Sequence, residues 1–198
     1  MLSDIKLFMN YRRLKSTGRC NNFVRINTED VAQHSFYTSM LCMIIGDELK
    51  AKGLNVNMEA LLKKAILHDS DESVTSDVPY NVKNCNPEFK ARIDQVLQDL
   101  SWEGYRNASP LFQDYHRLTT SCKEGIEGDI VGLCDMIELA VYCFEEVSTG
   151  NMFMKGLYEK SIALVKEKPI FLKSEFAMRL IAFIEVVSNE EIAELNSL

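Results

Sequence analysis

The stretch E-G-D-I-V-G-L-C-D-M-I-E-L-A-V-Y-C-F-E-E-V-S-T, residues 127–149, decides the fold class. Its apolar residues recur at helical spacing, and Val131, Asp135, Leu139 and Tyr142 fall on one stripe. Asp135 stands between Leu133-Cys134 and Met136-Ile137 in one of the most apolar parts of the chain. Aspartate is a poor helix-interior residue, and a carboxylate in an apolar setting persists only when paired or bound to a cation. The segment therefore predicts a central helix and a buried charge that needs a partner.

Working outward, the periodicity stays helical. Residues from about 3 to 15 form an amphipathic opening helix, followed by a polar loop, Ser16–Asn22. Asn27 or Thr28 can cap the next helix, with Glu29 and Asp30 in its first turn and Lys52-Gly53 at its stop. That helix aligns Val31, His34, Thr38, Leu41 and Ile45. Asn57 caps a shorter helix bearing Leu61, Ala65 and His68. Further helices are predicted from Pro87 to Leu100, Ser109 to Ser121, Met154 to Lys166 and Lys173 to Val187, with a short tail helix after them. No segment alternates like a strand. The fold class is all-α, a helical bundle. Without a linker or repeat, residues 1–198 read as one domain, its motif core in about 10–150 and its C-terminal helices in 151–198.

The formal net charge of −7 argues against nucleic acid as a partner, because phosphate-backbone binding needs a basic face. A small phosphorylated substrate remains compatible, since a local cation offsets the global sign. The six cysteines, at 20, 42, 85, 122, 134 and 143, contain no C-x-x-C pair and read as reduced thiols. No apolar run approaches the ~20 residues of a membrane span, and Met1–Leu14 has no signal-peptide core. The cytoplasm is the expected compartment.

The chain has three histidines, and two of them, His34 and His68, lie on apolar helix stripes. A lone histidine so placed is more often a packed core residue than a ligand. Here each has company. His68 is followed by Asp69 and Glu72, which puts an imidazole and two carboxylates in one turn if the helix continues. Burying that much charge costs several kcal/mol per ion, on the order of what only a strong partner offsets. Two imidazoles with Asp69 and Asp135 make an N₂O₂ set that suits one divalent cation: Co, Mn or Mg, with Zn or Fe also compatible.

The order His34, His68-Asp69, Asp135 resembles the HD superfamily of metal-dependent phosphohydrolases. The segments R-L-K-S-T-G-R (13–19), R-I-N-T-E-D-V-A-Q-H-S (25–35) and H-D-S-D-E-S-V-T-S-D-V-P (68–79) are similar to its bacterial 5′-deoxynucleotidase branch. The resemblance spans about residues 10–150 and implies an all-α domain, commonly dimeric. It implies metal ligation by His34, His68, Asp69 and Asp135, and water activation or positioning by Glu72. It also implies a place near sugar and phosphate for Asp77, which is thereby grouped with Glu72 as catalytic, and a phosphate contact for Arg19. Lys83 is a further candidate phosphate contact, equally readable as a surface lysine. Cys20 stands where the family commonly has Trp, which opens space beside the sugar or base; Gln33 stands for Glu and Ser76 for Gly.

The expected function is removal of phosphate from (deoxy)nucleotides or their analogues, mono- to triphosphate, by activated water. One alternative is a nucleoside triphosphate phosphohydrolase specialised for phage nucleotide metabolism or nucleoside-antibiotic biosynthesis. Another is an inactive nucleotide-binding regulatory module, against which the complete ligand set argues. A phosphodiesterase with a second metal is disfavoured, since His116 is the one spare histidine.

Overall fold

Asp30 starts the helix that carries His34. Its side chain accepts from the Gln33 N–H at 2.8 Å, and the Gln33 amide oxygen accepts from the Asp30 N–H at 3.0 Å, a reciprocal capping box. The sequence placed this cap at Asn27 or Thr28. Asn27 is used elsewhere: its N–H donates to Glu146 Oε1 at 2.6 Å and its carbonyl accepts from the Tyr142 hydroxyl at 2.8 Å. Glu29 therefore stays outside the helix.

The computed structural model describes residues 2–79, 82 and 86–186. The expected tail helix, Cys85 and Lys83 lie outside them. The helices are α1 (Leu2–Tyr11), α2 (Val31–Ala51), α3 (Met58–Leu67), α4 (Glu72–Thr75), α5 (Pro87–Tyr105), α6 (Pro110–Thr120), α7 (Gly125–Ser148), α8 (Lys155–Lys166) and α9 (Glu175–Val186). Short 3₁₀ turns follow α1 and precede α8 and α9. No strand occurs among the described residues beyond one isolated bridge, Gly18 to Asp30. The all-α expectation holds.

The core gathers around α7, whose Ile130, Val131, Leu133, Ile137 and Ala140 are fully buried. Ile45 and Leu49 of α2, Leu61 and Ala65 of α3, Val165 of α8 and Ile181 of α9 pack with them. The α2–α3 approach is close: a Cβ on Gly46 would come within 2.5 Å of the Leu61 side chain. The two histidine-bearing helices thus rest directly on each other.

Other boundaries differ from expectation too: α1 ends at Tyr11, and a 3₁₀ turn carries the chain on to Ser16. Helix α5 runs on to Tyr105 because Ser101 and Tyr105 turn inward and give its last turn a buried face. Helix α3 ends at Leu67, as the sequence leads one to expect, and the loop expected over residues 70–79 contains a short helix, α4, that the sequence does not predict. The chain tightens after Leu67, with the Ser70 N–H donating to Leu67 O at 3.0 Å and the Glu72 N–H to Asp69 O at 3.1 Å, and α4 begins at Glu72.

Glu48 of α2 ties the end of the bundle. Its carboxylate accepts from Ser174 Oγ at 2.5 Å, the Glu175 N–H at 2.7 Å and Lys52 Nζ at 2.7 Å, capping the start of α9. Partial burial alone would raise its pKa; the bonds from Lys52, Ser174 and the α9 backbone more than offset this and lower it to about 2. Because the folded pKa is depressed, this stabilisation is full above about 4.5, the ordinary glutamate value, and is lost as pH falls toward 2. Glu48→Gln is expected to cost about 1–2 kcal/mol at pH 7 and to flatten the acid limb. Urea unfolding at pH 7 and pH 3 checks this; an equal loss at both would contradict the assignment.

Candidate metal centre

Helix α2 delivers His34, fully buried, one turn past its cap. The end of α3 delivers His68, whose Nδ1 lies 2.7 Å from the carbonyl of Ala65. A carbonyl only accepts, so His68 Nδ1 carries the proton and Nε2 is the bare nitrogen whenever the ring is neutral. At His34 the Nδ1 side faces the Glu138 carboxylate, which fixes the same tautomer when the ring is neutral. Both rings therefore turn Nε2 inward, 3.0 Å apart. Two nitrogen lone pairs at that distance repel unless a proton or a cation sits with them.

Two carboxylates complete the group. Asp69 Oδ2 lies 3.2 Å from His68 Nε2 and 3.5 Å from His34 Nε2, and Asp135 Oδ1 lies 3.4 Å from His34 Nε2. Donors bonded to one ion at about 2.1 Å stand roughly 3.0–3.4 Å apart in octahedral or tetrahedral arrangements. The spacing fits a divalent cation. His34, His68 and Asp135 alone already satisfy the geometry of a buried three-donor group.

The electrostatics agree. Burial opposes ionisation of Asp135, but the Lys123 ammonium, then His34 and His68, hold it well below the carboxylate range. Asp69 is likewise held low against its burial by the adjoining His68. Burial opposes protonation of His68, yet Asp69 outweighs it and lifts the imidazole to about 9. Proton and cation compete for the same nitrogen.

Behind His34 lies a network that the sequence reading missed. Arg19 Nη1 donates to Glu29 Oε1 at 2.9 Å and to Glu138 Oε2 at 2.7 Å, and it crowds His34 Nδ1 at 2.5 Å. Glu138 is kept ionised against burial by His34 and Arg19. Glu29 is pushed up to about 7 by burial and by the neighbouring Glu138 charge. The available signal was Glu138 three residues after Asp135, on the same buried helix. Lys123, which donates to Asp135 Oδ2 at 2.9 Å, was also missed; nothing in its local sequence marks it.

The remaining candidates sit around this centre. Glu72 is buried and opens α4 in the turn after Asp69. Asp77 is half-buried, and its charge acts on the Cys20 thiol. Cys20 takes a left-handed φ of 51° and packs beside Tyr142, Cys143 and Met154. Burial, reinforced by Asp77 against the pull of Arg19, raises it to about 11, so it stays a thiol at neutral pH. Ser76, at φ 61°, holds the conformation that glycine adopts without strain. His116 packs at a tilt against Tyr105 and Trp102, with ring centroids 4.9 and 5.3 Å away, a packing role outside the centre.

The family model of 5′-deoxynucleotidase YfbR-like proteins matches residues 6–182. The chain belongs to this family. A 5′-deoxynucleotidase of Klebsiella pneumoniae is 30% identical over 175 residues, covering 82% of this chain and 84% of that protein. One from Photorhabdus laumondii is 29% identical over 154 residues, covering 73% and 75%. Among solved structures, an HD-domain phosphohydrolase of Listeria innocua superposes with a TM-score of 0.76 at 24% identity, covering 90% of this chain and 89% of its own. The cyanophage S-2L HD phosphohydrolase DatZ, bound to dA and one catalytic Zn²⁺ ion, superposes at 0.55 with 16% identity, covering 89% and 93%. These two likenesses speak for the fold.

Glu138 orients the His34 imidazole, with Nε2 turned toward Asp69, Asp135 and His68. Glu138→Ala is expected to weaken Co²⁺ binding by about 10–100-fold, the usual cost of removing such a partner, and Glu138→Gln to recover part of it. Equilibrium dialysis against Co²⁺ checks this, and unchanged affinity in Glu138→Ala would refute the role.

Proposed function

We propose that this chain hydrolyses phosphate from (deoxy)nucleotides, with one divalent cation held by His34, His68, Asp69 and Asp135. The observation that carries the reading is the convergence of His34, His68 and Asp135 as a buried three-donor group, with Asp69 Oδ2 lying 3.5 and 3.2 Å from the two inward imidazole nitrogens. Co²⁺, Mn²⁺ and Mg²⁺ are the ions to try first; Zn²⁺ and Fe²⁺ also suit the donor set.

The chemistry a divalent cation supplies there is polarisation of a phosphoryl oxygen and acidification of water. Glu72, buried beside Asp69, accepts the proton of the attacking water. Arg19 contacts its carboxylate neighbours through Nη1, and the rest of its planar fork is the phosphate contact. Asp77 faces the sugar, and the small Cys20 leaves room beside it. The compartment in this reading is the cytoplasm. No helix among the described residues is long and apolar enough to cross a membrane, and the five described cysteines are free thiols.

The chain acts as a homodimer in this reading. Helix α2 exposes Phe36, Tyr37, Met40, Met43 and Ile44 at helical spacing, a continuous apolar stripe facing outward. Met40→Glu is expected to shift the protein from dimer to monomer in light scattering; a monomeric wild type would sink the dimer.

The functional test is phosphate release by the purified protein with each ion, across nucleoside mono-, di- and triphosphates. Ion-dependent release is expected, falling by at least three orders of magnitude in Asp69→Ala, on the order of a lost catalytic-ion ligand. No release from any nucleotide by protein with bound ion would overturn the reading.

A further inference from the structure

A cavity of about 140 Å³ lies against the first turns of α7. Lys123 and Lys168 line it together with Gly128, Gly132 and the exposed Asp129 of α7. Both glycines shape it. A Cβ on Gly128 would come 2.2 Å from the Lys123 backbone, so only glycine lets that loop lie on the helix. At Gly132 the lining stays bare, and Lys168 Nζ hangs 3.9 Å from where a Cβ would be.

Lys123 belongs to both places. It lines the cavity, and its Nζ donates to Asp135 Oδ2 at 2.9 Å. Gly132 lies three residues before Asp135, so this part of the lining and that aspartate share one face of α7, about one helical turn, roughly 5 Å, apart along the axis. Successive phosphates of a nucleotide extend over a similar span. Lysine ammonium groups are flexible point charges suited to phosphate. A cation shared with Asp135 takes over the charge that Lys123 balances and leaves the ammonium attractive to anions.

We infer that the Lys123–Lys168 cavity is a subsite for a second phosphate group, next to the one held at the centre, so that this chain binds nucleoside di- and triphosphates. The inference rests on the phosphohydrolase reading above and deepens it: the substrate class includes nucleotides with a phosphate beyond the first.

Calorimetry on Co²⁺-saturated protein, with equal free Co²⁺ in cell and syringe, tests it. The probes are 2′-deoxyadenosine 5′-monophosphate and the α,β-methylene analogue of the 5′-diphosphate. The diphosphate analogue is expected to bind at least tenfold more tightly, and Lys168→Glu to reduce that ratio to near one. Lys90→Glu, a remote charge reversal on α5, controls for net charge and is expected to preserve the ratio. An unchanged ratio in Lys168→Glu overturns the subsite. So does a wild-type ratio near one with inorganic phosphate binding beside the monophosphate, which would make the cavity a free-phosphate site. Phosphate release measured on the same preparation reports separately on the functional reading: a protein that hydrolyses nucleotides but shows an unchanged ratio refutes only the cavity.

Discussion

An imidazole has two nitrogens, and at His34 the protein commits one of them to Glu138. That contact decides which nitrogen faces Asp69, Asp135 and His68, and everything else in the centre is arranged around it. Glu138 is buried, so it needs cationic company of its own, which Arg19 supplies at 2.7 Å. Arg19 in turn draws in Glu29 from the residues just before α2. A fully connected buried network of this kind resists rearrangement, because loosening one member leaves another charge unpaired in a poorly screened interior.

The position of that network follows from how the core is packed. Helix α7 is buried along most of its length, so Asp135 and Glu138 are presented from a rod with little freedom to shift. Helices α2 and α3 touch through Gly46 and Leu61, which couples the two histidines mechanically. Preorganised charge is most effective where it cannot relax away from its target.

Much of this was legible in the residues. Asp135 announced itself because an aspartate in an apolar helix needs a reason, and His68-Asp69 because the apolar lead-in of Ala65, Ile66 and Leu67 points them inward. Glu138 was not legible: helical periodicity alone cannot tell a buried carboxylate from one on a solvated edge until the neighbouring helices are placed. The α2 cap was misread because Asn27, a good capping residue, has its backbone claimed by Glu146 and Tyr142, more than a hundred residues away. The single turn of α4 escaped notice because four residues carry no periodicity; it is made by hydrogen bonds among close neighbours. Propensity reads local preference, whereas the burial of Glu138 and the α2 cap were settled by distant partners.

The loop between Thr17 and Val31 is pinched shut at its neck. The Val31 N–H donates to Thr17 O at 2.9 Å and the Arg19 N–H to Glu29 O at 3.0 Å, while Asn151 Nδ2 and Glu146 grip its far side through Val24, Ile26 and Asn27. A loop with tethered ends is an interchangeable part. The exposed residues within it, such as Val24 and Ile26, can vary while the register of α2, and with it the placement of His34, stays put. The donor cluster is thus fixed by rigid helices, and Arg19 is brought to it by a clasped segment whose ends cannot drift.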